Sequence, residues 1–198
     1  MIDLGPAAAE VARLAEHVRD DQLGDLTPCE GYPVGALLDH LMALTRAFTW
    51  AANKEPMPPG VDESLPGQAR ADHLRSDWRE QLPLRLIAMA EAWRRPQAWE
   101  GEATVGGVTS PAGVTGLFGL DELVLHGWDL ARGTGQVFSA DSASTHALLP
   151  LLQGLAAPGT ERTGLFGAVV DTGADACDLE LVLGLAGRDP HWSAPPRV

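Results

Sequence analysis

The chain has 198 residues, enough for one domain with a sizeable core, and its 45% hydrophobic content argues against disorder. A formal net charge of −13 and a pI near 4.7 argue against nucleic-acid phosphate or an anionic membrane surface as partner. There is no run of about 18 apolar residues and no basic-then-apolar leader in Met1-Ile2-Asp3-Leu4, and two cysteines, Cys29 and Cys177, make no disulfide framework; the expectation is a soluble, cytoplasmic protein with reduced thiols.

In chain order, Asp3 caps a first helix with Pro6 in its first turn and Val11, Leu14 and Val18 facing inward, ending near Arg19. After a connection, Pro33 opens a second helix that runs to about Ala52, with Leu37, Leu41, Leu44 and Phe48 along one stripe. Residues 53–67 form a Pro-rich loop, long enough for a lid or rim. A third helix is expected from about Ala71 to Arg94, striped by Leu74, Trp78, Leu82, Leu86, Met89 and Trp93 and bent at Pro83.

Trp99 to Val108 reads as a hairpin turning at Gly106-Gly107, and Ser110-Pro111 as the cap and first turn of a fourth helix ending at Gly133 or Gly135. A fifth helix covers about Asp141 to Ala156, interrupted near Pro150. Residues 164–170 suggest a small strand or extended arm, and a last helix runs from about Asp175 to Ala186. The fold class is all-α: a four-helix bundle with a short hairpin between helices 3 and 4 and additional C-terminal helices. A bundle core is a usual place for metal ligands.

The fourth helix carries the chemistry. Glu122 and His126 lie four apart, on one face and about 6 Å apart along the axis. A carboxylate and an imidazole aimed into an apolar helix are costly to leave unsatisfied, and a divalent cation would satisfy both; the alternative is an ordinary Glu–His contact. His40, on the edge of the second helix's stripe, supplies a third ligand. Three protein ligands leave an open position, as in a catalytic zinc site.

Asp129, three residues beyond His126, is either an acceptor orienting that imidazole or a helix-end charge bound to solvent or to a basic side chain. His73 and Asp77 copy the spacing of Glu122 and His126 but flank the third helix's stripe, and read as a solvated pair. Asp39 points away from His40. His17, His146 and His191 have no convergent partners. Cys29 reads as a buried free thiol rather than a nucleophile, and Trp128 as a candidate pocket wall.

Two stretches carry a resemblance. Thr27-Pro28-Cys29-Glu30-Gly31-Tyr32-Pro33-Val34, followed by His40, resembles the opening of the second helix in the mycothiol-dependent maleylpyruvate isomerase N-terminal family, of the DinB-like superfamily. Glu122-x3-His126-Gly127-Trp128-Asp129-Leu130-Ala131 resembles its fourth-helix signature. The tail, with Gly164-Leu165-Phe166-Gly167 and Gly187-Arg188-Asp189-Pro190-x-Trp192, is similar to an actinobacterial group of metal-binding proteins within it. The sequence departs from the family where Tyr32 stands in place of a usual Trp, and the residues given after the fifth helix are too few for the separate C-terminal domain expected of the isomerase.

The resemblance implies a DinB-like bundle holding a divalent metal through His40, Glu122 and His126: zinc first, with nickel, iron or manganese tolerated by these ligands. Residues 1–198 then form a single metal-binding domain, with 157–198 as an extension packed on the bundle. The implied activity is mycothiol-dependent, of S-transferase or isomerase type, on a small electrophilic substrate. A metal-dependent hydrolase and a non-catalytic metal or ligand binder stay open beside it. The chain is read as a monomer or homodimer, with no catalytic residue and no mycothiol-binding residue assigned.

Overall fold

In the computed structural model, which describes residues 1–56, 69–162 and 164–194, the apolar stripes become helices. These are α1 (Gly5–Glu16), α2 (Val34–Asn53), α3 (Trp78–Trp93), α4 (Ala112–Thr134), α5 (Ser142–Leu155) and α6 (Asp178–Leu185). An antiparallel hairpin, β1 (Glu102–Val105) and β2 (Val108–Pro111), joins α3 to α4. Its turn is Gly106-Gly107, both at positive φ, as a tight two-residue turn of this hand requires.

The first four helices form the bundle, with α1 and α2 each packing on both α3 and α4. The core is shared evenly. Leu4, Val11 and Leu14 come from α1 and its cap, Leu37, Leu38 and Leu41 from α2, Leu82, Leu86, Met89 and Trp93 from α3, and Leu120, Leu123 and Leu130 from α4. Each contributes about 1.5–3 kcal/mol relative to the exposed side chain. Helix α5 packs on α4 and α6. Because α4 touches α1, α2 and α5, it is buried on nearly every face, so the polar residues it carries must find partners inside the protein.

Several boundaries differ from expectation. Helix α1 stops at Glu16, and a 3₁₀ turn follows at Asp20–Gln22. The third helix is broken: Ala71–His73 is a 3₁₀ turn and the α-helix starts only at Trp78, although Leu74 still packs on the core. Ser110 and Pro111 belong to β2 rather than to α4, and the Ser110 hydroxyl meets that of Thr115 at 2.8 Å. Helix α5 runs unbroken through Pro150, and residues 164–170 form no strand. Of the Pro-rich loop, residues 57–67 lie outside the described residues.

Candidate metal centre

Two helices bring the three sequence-predicted residues together. His40 sits in the second turn of α2; Glu122 and His126 occupy successive turns in the middle of α4. Oε2 of Glu122 lies 3.3 Å from Nε2 of His40 and 3.0 Å from Nε2 of His126. The imidazoles meet edge to face, their centroids 4.9 Å apart. One donor atom from each of the three residues falls within 4.8 Å of the others. Both histidines are buried, whereas the Glu122 side chain is 29% exposed and forms the accessible side of the cluster.

The protons of His126 make this an electrostatic problem. Its Nδ1 lies 3.0 Å from Oδ2 of Asp129, a carboxylate with no exposed surface, so Nδ1 is the nitrogen that donates. In the neutral ring the Nε2 lone pair then faces the Glu122 carboxylate oxygen, an arrangement that only a proton or a cation between them can stabilise. Without a cation the proton is held: burial lowers the affinity of His126 for it, but Asp129, Cys29 and Glu122 together outweigh burial and raise its pKa well above the usual imidazole value. Burial likewise pushes Glu122 up, and hydrogen bonds from His126 and His40 outweigh it, holding the carboxyl well below the ordinary carboxylate range.

Two imidazole nitrogens and a carboxylate oxygen suit Zn²⁺, and Ni²⁺, Fe²⁺ or Mn²⁺ as well. A divalent cation fits this donor set, since it would take the place of the proton that His126 and Glu122 otherwise share.

The surroundings hold what sequence reasoning left open or missed. Asp129 does both things weighed for it: its Oδ2 accepts from His126 and also from Nη2 of Arg188, 3.1 Å away. Arg188 arrives from the segment after α6, 59 residues along the chain, and no local signal pairs it with Asp129. Cys29 is a half-buried free thiol that forms a second close group with His126 and Asp129. Tyr32 stands edge-on to His40, centroids 5.5 Å apart. The loop before α2 thus touches both histidines. The Thr27 hydroxyl organises it, donating to the Tyr32 carbonyl and accepting from the Cys29 amide.

Asp121, beside Glu122, is fully enclosed. Burial first, and then the negative charge of Glu122, push its carboxyl up to about 8, so it is neutral at pH 7.

The remaining candidates stand apart. Asp39 turns away from His40 and accepts from the Arg70 amide at 3.2 Å. Asp77 pairs with Arg75 rather than with His73, which is exposed. His17, His146 and His191 are exposed, and Nδ1 of His17 meets the Arg13 carbonyl at 2.8 Å. Trp128 is buried in the core, with the Arg132 guanidinium over its ring.

Comparison with known proteins agrees with this arrangement of helices. Two solved structures, a mycothiol-dependent maleylpyruvate isomerase and a His-to-Ala mutant of it, superpose with TM-scores of 0.54 and 0.53 at 21% sequence identity. Each match covers 77% of this chain and 66% of the solved one, so the chain spans just under two thirds of the length of those proteins. The likeness is one of fold, a four-helix bundle. No curated protein matches the chain. The family model described as the mycothiol maleylpyruvate isomerase N-terminal domain matches residues 4–131. That is well over half of the sequence, and the chain belongs to this family.

Proposed function

We propose that the chain binds one divalent cation, zinc by preference, through His40, Glu122 and His126, and uses the centre to activate a small-molecule thiol against a small electrophilic substrate. Membership of the family supports mycothiol as the thiol and an S-transferase or isomerase type of reaction as the activity. The observation that carries the reading is the convergence of two imidazole nitrogens on one carboxylate oxygen, 3.0 and 3.3 Å away, at a partly exposed glutamate. A cation held there supplies a positive charge that keeps a thiol ionised near neutral pH, where a free thiol of pKa about 8.5 is only a few per cent thiolate.

The chain's own groups set the conditions for that chemistry. Asp129 orients His126 through Nδ1 and leaves Nε2 facing the cluster. Leu37, Leu41 and Leu123, on the same two helices as the three ligands, are fully buried. Tyr32 and Cys29 close the side formed by the loop before α2. The hydrolase alternative needs a base at the centre. Oδ2 of Asp129 is already shared by His126 and Arg188, so that carboxylate is not free to act as one.

The same reading takes residues 1–198 as one cytoplasmic domain with 157–198 as an extension on the bundle. No helix among the described residues is long and apolar enough to cross a membrane.

Elemental analysis of protein purified without chelator is expected to give about one divalent ion per chain. That occupancy should fall in H40A and H126A and stay intact in H73A. With Co²⁺ in the site, mycothiol is expected to add a sulfur-to-metal charge-transfer band at lower concentration than cysteine or glutathione does. Full metal occupancy in both H40A and H126A would remove the ligand set. A thiol-insensitive Co²⁺ spectrum, together with metal-dependent ester or amide hydrolysis, would replace the thiol reading with the hydrolase one.

A further inference from the structure

The segment after α6 sends one side chain into the wall of the centre. Gly187 ends α6 at φ +80°, where a Cβ would lie 2.8 Å from the Gly167 backbone, so only glycine lets the chain turn this closely. The next residue, Arg188, points inward with its side chain 11% exposed and reaches Oδ2 of Asp129, the same oxygen that accepts from Nδ1 of His126. Both contacts are within hydrogen-bond distance, and the Asp129 side chain has no exposed surface. Arg188 lies outside the residues matched to the family, 4–131.

We propose that Arg188 is a positioning residue for the metal centre. It holds the Asp129 carboxylate against His126, which keeps the ring oriented with Nδ1 protonated and Nε2 directed at Glu122. This rests on the reading of His126 as a metal ligand. A buried carboxylate needs a fixed counter-charge, and an imidazole ligand needs a fixed acceptor on its far nitrogen; one guanidinium serves both needs here.

The rival account is that Arg188 only docks the tail. The fold separates the two, because a second clamp joins the same segment to the same helix without touching Asp129 or His126. Nε of Arg132 on α4 donates to the Trp192 carbonyl at 2.9 Å. Loosening the tail at Arg132 and removing the charge at Arg188 are therefore distinct perturbations.

The test uses the full chain loaded with Co²⁺, whose paramagnetism shifts the exchangeable Nδ1 proton of a coordinated imidazole far outside the normal proton spectrum. H126A identifies the His126 signal by its loss. The native chain should show that signal sharp in water, because Asp129 and Arg188 cover the proton. R188M, which keeps the alkyl stem but not the charge, should broaden it through faster exchange and weaken Co²⁺ binding by about 10- to 100-fold, the usual effect of removing an outer partner of a metal ligand. R188K should restore much of both, and R132A should leave both at native values.

Circular dichroism melts verify that each variant is folded; if R188M is not, R188Q, which keeps a polar side chain but not the charge, takes its place against R132A. A native signal and native affinity in R188M, or losses in R132A as large as those in R188M, would overturn the positioning role alone. A native chain that binds no Co²⁺, or an H126A chain that binds it normally, would overturn the metal reading and this inference with it.

Discussion

At Gly133 the missing side chain gives the loop before α2 its place. A Cβ there would stand 2.8 Å from Cγ2 of Thr27 and 3.0 Å from the Leu26 carbonyl. Thr27 in turn shapes the loop that brings Cys29 to His126 and Tyr32 to His40. Gly133→Ala is expected to destabilise the fold by about 1–3 kcal/mol through overpacking, and to lower metal affinity because the displaced loop lines the centre. Gly113, in the same helix with nothing within 4 Å of its would-be Cβ, is the control: Gly113→Ala should be stabilising by about 0.4–1 kcal/mol. Denaturant melts of the two variants check both signs, and equal effects would refute the loop-contact argument. Gly133 was legible in sequence only as one of two candidate helix ends. Its part in seating the loop comes from a contact with Thr27, more than a hundred residues earlier.

Among the elements, α5 shows the clearest local code. Asp141 accepts from the Ser144 amide at 2.9 Å and from the Ser144 hydroxyl at 2.6 Å, a cap readable from residue type and position alone. Asp141→Ala should cost about 1 kcal/mol, measured by thermal or denaturant unfolding, with no change in metal content because α5 carries no ligand. The third helix shows where such reading stops. Leu74 continues the apolar stripe of α3 and packs on the core, yet the backbone is helical only from Trp78. Periodicity reports which side chains face the core, and Leu74 reaches it from a turn as well as from a helix. In α4, by contrast, the Glu122–His126 pair was readable because four residues of helix fix their separation.

For the whole molecule, the centre ties stability to pH in opposite directions with and without a cation. In the metal-free chain, His126 has its folded pKa raised, so its stabilisation is complete below the unfolded value of about 6.5 and is lost as pH rises through the folded pKa. Asp121, pushed up to about 8 by burial and Glu122, keeps its proton when folded and loses it when unfolded, so it also lowers stability as pH rises from the ordinary carboxylate range toward 8. Glu122 is depressed; its contribution is lost only as pH falls through the acid range, below this window. The metal-free protein is therefore expected to melt lower at pH 8 than at pH 6.

A cation reverses the trend, because it needs neutral imidazoles and protons compete for them. At 100 times its dissociation constant it adds about 2.7 kcal/mol, or about 5–10 °C for a chain of this size. Chelator should lower the melting temperature more at pH 7.5 than at pH 5, and an equal drop at both would count against coordination by His40 and His126.

The sequence by itself determined the helices of the bundle, the glycine turn of the hairpin and the pairing of Glu122 with His126, because each follows from dihedral preference, side-chain period or a spacing of a few residues. On those residues alone His40 was a candidate third ligand, and the family resemblance named it. Only the tertiary structure decided that its Nε2 meets the same carboxylate oxygen as His126, that Cys29 stands against His126, and that Arg188 holds Asp129 from the far end of the chain. The physical reason is distance along the chain: 82 residues separate His40 from Glu122 and 59 separate Asp129 from Arg188. Local geometry sets no relation across such spans, and the packing of α2 and the tail on α4 supplies it.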